Sequence, residues 1–169
     1  MSKAVLISIK PKWVEMIASG KKTIDVRKTR PKIEPPFKVY IYCSQTSPWN
    51  PALVYQYENP NGNIYIGGKN YSEFMSARVV GEFICDSIGF YAPEVSDYAN
   101  GKPLYGWHIS DLKMYDTPKE LKKFSLICKH EFCQDTCPQF KYRHCDILKR
   151  TYPATKAPQS WMYVVEKED

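Results

Sequence analysis

At 169 residues, with 43% hydrophobic and 14% aromatic side chains, the chain can bury one sizeable core, which argues against a globally disordered chain and suits one domain with a small appendage. No apolar run approaches the roughly 18 residues that span a bilayer, and AVLISI near the start is too short for a secretory signal and has no cleavage site after it, so the expectation is a cytoplasmic protein without a membrane anchor. The net charge of +6 is uneven: residues 1–38 hold ten Lys/Arg against three acids, residues 39–118 four against eight, and residues 119–156 nine against four.

Two basic segments around an acidic middle make a basic face if they meet in space, which suits phosphates and points to nucleic acid, RNA first and DNA second. Ordinary solvated lysines account for the same counts.

In chain order, AVLISIK is β-branched and alternating, which predicts a first strand. Pro11 suits the first position of a helix in which Trp13, Met16 and Ile17 share a face, and Gly20 stands where that helix stops. KKTIDVRK then resumes a period of two, with Lys22, Ile24 and Val26 on one face and Thr23, Asp25 and Arg27 on the other. RPKIEPPF is too broken by proline for a ladder. KVYIYCS is nearly all apolar, which predicts a strand buried on both faces.

Residues 44–76 read as an insertion, whose LVYQYENPNGNIYIGG makes two Tyr-rich strands around a Pro-Asn-Gly turn. ARVVGEFICDSI and GWHISDLKMYD are two further strands, and Trp107 and His108 in the second point to opposite faces. Thr117 and Glu120 with Pro118 between them spell a capping box, predicting a short helix from Pro118. QSWMYVVEK closes the series, with Trp161 and Tyr163 on one face. The whole reads as an α+β fold: a small mixed β-barrel of about six strands with a few short helices, a hairpin insertion and a Cys-rich loop.

Four of the six cysteines fall in CKHEFCQDTCPQFKYRHC. Structural zinc takes four converging soft ligands, commonly in pairs two to four residues apart. Cys133 and Cys137 meet that spacing and Cys128 lies just outside it. The expectation is a structural zinc on Cys128, Cys133, Cys137 and Cys145, with His130 or His144 able to replace one of them. Free thiols and disulfides are the alternatives. Cys43 and Cys85 lie in apolar strands and read as buried core thiols.

GKKTIDVR fits G-x-K-x-x-[ED]-x-R through Gly20, Lys22, Asp25 and Arg27. That octet resembles the signature of the ASCH domain, a PUA-like β-barrel family. ISIKPKW, VVGEFICD, YGWHISDLK, PKEL and APQSWMYV look like a prokaryotic and phage-associated branch that carries a Cys-rich insert. The resemblance covers most of the chain outside residues 44–76. It implies a PUA-like barrel whose signature strand lines a cleft for RNA or a modified nucleotide. Some members of the family resemble N4-acetylcytidine amidohydrolases, and one is credited with ribonuclease activity. In the amidohydrolases a Lys works with a Thr three residues on and a distant Glu; here Asp25 stands three after Lys22.

The residue chemistry allows either reading. Arg27 offers a planar donor fork and Asp25 can orient it, or the two merely pin the strand. Lys22 supplies a point charge to a phosphate or, desolvated, a base. Lys10 and Lys12 bracket the turn into the first helix, and Trp13 is expected in the core or as a cleft wall. The binding set is therefore Lys10, Lys12, Lys22, Asp25, Arg27 and His108. For a small nucleoside or RNA hydrolase it is Lys22 with Asp25 and Glu82, the latter being the best distant carboxylate. A third reading is a protein-interaction module built on the Tyr-rich arm.

Overall fold

The protein is seen here as a computed structural model that describes residues 3–44, 55–58, 64–67, 77–91, 103–127 and 151–166. The first strand, β1 (Ala4–Ile9), leads into helix α1 (Pro11–Ala18) with Pro11 opening the helix. Gly20 ends it in the left-handed region, φ +73°, its N–H donating to the Ile17 carbonyl at 2.9 Å. That conformation costs glycine little, as the spacing predicted. Strands β2 (Ile24–Arg27) and β3 (Phe37–Cys43) follow. Next, β4 (Tyr55–Glu58) and β5 (Ile64–Gly67) pair antiparallel as a separate two-stranded sheet.

The long strands β6 (Arg78–Tyr91) and β7 (Leu104–Lys119) come next, then β8 (Phe124–Ile127), β9 (Thr151–Pro153) and β10 (Trp161–Glu166). One eight-stranded sheet runs in the order β2-β7-β6-β3-β1-β10-β8-β9. The expected count of about six strands is too low because β8 and β9 have four and three residues, too few to show a period. The helix expected from Pro118 is absent. Lys119 still pairs with Val79, so β7 runs through Pro118 and only a 3₁₀ turn, Leu121–Lys123, follows. Glu120 bonds outward to Arg78 at 3.3 Å and Lys122 at 2.5 Å instead of closing a capping box.

Alternation along the central strands builds two cores on opposite faces of one sheet. Val5, Ile7 and Ile9 of β1 and Phe37, Val39, Ile41 and Cys43 of β3 join the first, with α1 and Trp107. Leu6, Tyr40 and Tyr42 join the second, with Phe124, Leu126 and Val164. This is why KVYIYC shows almost no polar position: both of its faces are interior. Cys43 and Cys85 are buried free thiols as expected, and desolvation pushes both up to about 12.

Among the described residues the ladder does not close into a barrel, and β2 and β9 stand at its two ends. The sheet bends at three register shifts between β6 and β7, since an extra residue on one strand sharpens the local twist. Asp111 sits at one of them with φ +46°. Gly81 sits at another, where a Cβ would meet the Lys113 carbonyl oxygen at 2.7 Å. Side chains span the gap that the ladder leaves. Arg27 of β2 donates to the Ser8 carbonyl of β1 at 3.1 Å and to the Ser160 carbonyl at 3.2 Å, though three strands separate β2 from β1 in the sheet. Trp161 Nε1 donates to Thr29 Oγ1 at 2.9 Å, and the Lys32 N–H donates to the Tyr163 hydroxyl at 2.7 Å.

Candidate nucleic-acid interface

The signature strand has its expected two faces, but the apolar one is turned to solvent. Ile24 is exposed and Asp25 is buried at 5%. Asp25 lies directly across from Trp107, itself fully buried, so the carboxylate shares its side of the sheet with the first core. A lone buried carboxylate is costly. Arg27 removes the cost, donating from Nε to Asp25 Oδ2 at 2.6 Å while its other nitrogens hold Ser8 and Ser160. The guanidinium fork is thus engaged inside the fold, in the pinning arrangement that the sequence left as one of two readings.

Lys22 is held just outside that pair. Its ammonium donates to the Ile24 carbonyl at 2.5 Å and stands 3.8 Å from Asp25 Oδ1. It also lies 5.7 Å from the Trp13 ring centroid, with Lys12 Nζ at 5.2 Å from the same ring. Trp13 is 42% exposed, so it is no core residue. On α1 the core positions are Val14, Ile17 and Ala18, which leaves the indole outside the core beside Lys12 and Lys22. Lys10 caps the helix through its backbone carbonyl and is exposed.

Two predicted residues lie elsewhere. Glu82 pairs in register with Tyr40 and belongs to the opposite face of the sheet from Asp25. Its carboxylate accepts from Lys38 at 3.1 Å and from Tyr115 at 2.5 Å. Burial alone would raise Glu82, but those two hydrogen bonds and the charges of Lys38 and Lys119 outweigh it and hold the carboxyl below its ordinary range. The network continues through Lys119 and Tyr40, both of which donate to Glu166. Burial first, and then the adjoining carboxylates, raise the Tyr40 and Tyr115 phenols.

His108 points away from Trp107, as alternation requires, and donates from Nδ1 to Asp86 Oδ1 at 2.7 Å. Asp86 was not singled out from the sequence. Its signal is the break in VVGEFICDSI where the apolar alternation gives way to Asp-Ser. The hydrogen bond from His108, ahead of smaller contributions from Ser110 and Ser87, holds the Asp86 carboxyl below its ordinary range.

Among the described residues no three His, Cys, Asp or Glu side chains gather as metal ligands. Cys128, Cys133, Cys137 and Cys145, with His130 and His144, lie outside the described residues. So do the side chains of the Tyr-rich arm. No helix among the described residues is long and apolar enough to cross a membrane.

No family model matches the chain and no curated protein does. Among solved structures it is similar to the crystal structure of a point mutant of the ASCH protein from Zymomonas mobilis. That similarity has 15% identity and a TM-score of 0.49, covering 95% of this chain and 88% of that one. It is also similar to the crystal structure of ASCH from Zymomonas mobilis, at 17% identity and a TM-score of 0.48, covering 94% and 85%.

Proposed function

We propose that the chain is a binding module for RNA or a modified nucleotide, acting where α1 meets the edge of β2. The carrying observation is Trp13: a 42% exposed indole with two lysine ammonium groups within 6 Å of its ring. An aromatic face takes a base of any sequence by stacking, and flanking cations take the phosphates. Lys12 and Lys22 supply that charge at the ring and exposed Lys10 adds to it from the start of the same helix, with the Asp25–Arg27 pair next to Lys22 as a rigid support. The hydrolase reading draws less support. The Lys22 amine is occupied by the Ile24 carbonyl, and Glu82 serves a network on the other face.

The test is fluorescence anisotropy with a labelled single-stranded RNA across a salt series. Three phosphate contacts should give a log–log slope of roughly −2. Trp13→Ala should weaken binding by about 1–3 kcal/mol, the range for one stacked base. Absence of salt-sensitive binding to RNA or DNA at low ionic strength would sink the reading.

A structural zinc on the four clustered cysteines is a separate proposal that rests on their spacing alone. Elemental analysis should return one zinc per chain, and Cys133→Ser with Cys137→Ser should remove it. A value far below one in the parent protein would remove the zinc from consideration.

A further inference from the structure

The outer face of β2, β7 and β6, across β2 from the core that α1 covers, has a built feature that the Trp13 stacking site does not use. Between Cys85 and Ile88 the ladder slips by one residue, while β7 advances only from Ile109 to Trp107. Asp86 and Ser87 therefore both oppose His108. Such a bulge re-aims a side chain, and here it carries the Asp86 carboxylate onto His108 Nδ1 at 2.7 Å, with Ser87 Oγ donating to the same oxygen at 3.3 Å.

In the neutral imidazole, a carboxylate on Nδ1 fixes the proton there and leaves Nε2 as a lone-pair acceptor. Both side chains of the pair are more than 40% exposed, so that acceptor is open to a ligand. Beside it, Gly89 pairs with Gly106, and a Cβ on Gly89 would meet no atom within 4 Å. Ile24, 39% exposed, stands directly across from His108. Through its carbonyl it holds Lys22, which reaches the Trp13 ring. The acceptor and the stacking face are thus joined by consecutive contacts around one residue of the edge strand.

Resting on the binding reading above, we propose that His108 Nε2 accepts a hydrogen bond from a ribose 2′-hydroxyl, so that the site selects RNA over DNA. Asp86 is the positioning residue. The 2′-hydroxyl is the donor that distinguishes the two sugars. The cationic lysines on this edge only donate, so they contact phosphate equally in either nucleic acid.

The experiment compares one short oligoadenylate in three sugar chemistries: ribose, 2′-deoxy and 2′-O-methyl. The last keeps an RNA-like sugar but has no hydroxyl to donate. The parent protein should bind the ribose form about five- to tenfold more tightly than either of the others, the scale of one hydrogen bond. His108→Phe should bind all three alike at the weaker level, and Asp86→Ala should lose most of the preference while keeping its affinity for the deoxy form. A 2′-O-methyl oligomer that binds like ribose overturns the proposal, and so does a preference that survives His108→Phe. Equal binding of all three by the parent, still lost in Trp13→Ala, overturns the sugar selection alone. No binding of any of the three overturns the nucleic-acid reading and this inference with it.

Discussion

Arg27→Ala is expected to destabilise the protein by about 3–5 kcal/mol, the range for stranding one member of a buried ion pair. For a chain of this size that is roughly a 6–20 °C fall in Tm. The substitution leaves the Asp25 carboxylate buried at 5% without its 2.6 Å partner. It also removes the donors to Ser8 and Ser160 that join β2 to the far side of the sheet. The measurement is thermal and urea unfolding of the parent, Arg27→Ala, and the double variant Asp25→Asn with Arg27→Leu. The double variant should recover part of the loss, because it removes the stranded charge as well as the cross-link. A single variant within about 1 kcal/mol of the parent would show that the pair is not what holds the seam.

The second large effect is expected at Glu82. Glu82→Leu removes the acceptor of a phenol that is almost wholly buried, since Tyr115 is 8% exposed, and of the Lys38 ammonium. Hydrogen bonds to a charged group contribute about 1.5–3 kcal/mol each. Because Lys38 is partly solvated, the expected loss is about 2–3 kcal/mol.

The same site sets a pH dependence whose sign is fixed. The folded carboxyl lies below its unfolded value, which for Glu is about 4.3. Its contribution is therefore present above that value and is lost as pH falls through the folded one. Parent and Glu82→Leu should differ most near neutrality and converge in acid. A gap that stays constant from pH 7 to strong acid would show that the ionised form of Glu82 is not what stabilises the network.

Much of the chain's organisation was legible because apolar spacing reports burial directly. AVLISI became the strand that its alternation predicts and FKVYIYC the one that its nearly unbroken apolar character predicts, while PKWVEMIA became a helix whose buried positions are Val14, Ile17 and Ala18 in place of a face that includes Trp13. The strand from Phe37 carries its double burial in its composition. The capping box at Thr117 was legible and misleading. Local preference for a helix lost to the pairing of Lys119 with Val79, a contact between residues far apart in sequence. That the described strands form an open ladder was hidden for the same reason, since no local pattern reports whether two edge strands meet.

The candidate site divides in the same way. Periodicity put Asp25 and Arg27 on one face, yet it could not tell which face turns inward, because an ion pair inside a core breaks the rule that charge faces water. Glu82 was matched to Lys22 on chemistry alone. Its assignment to the other side of the sheet depends on the register of β3 against β6. The Asp-Ser break in VVGEFICDSI marks the place of Asp86 but does not say that a bulge there aims the carboxylate at His108.

The place of β1 in the sheet also bears on how the chain acquires its shape. Its neighbours are β3, close behind it in sequence, and β10, with Ala4 opposite Val164. As the polypeptide leaves the ribosome, β1 can settle against β3 early, but its other flank waits until every other described strand has been made. Loop closures of that span are slow compared with local pairing. Until then, the apolar side chains that the parallel β1–α1–β3 unit turns toward the second core have no permanent cover, and that interval is when the chain is most dependent on dilution or on a chaperone.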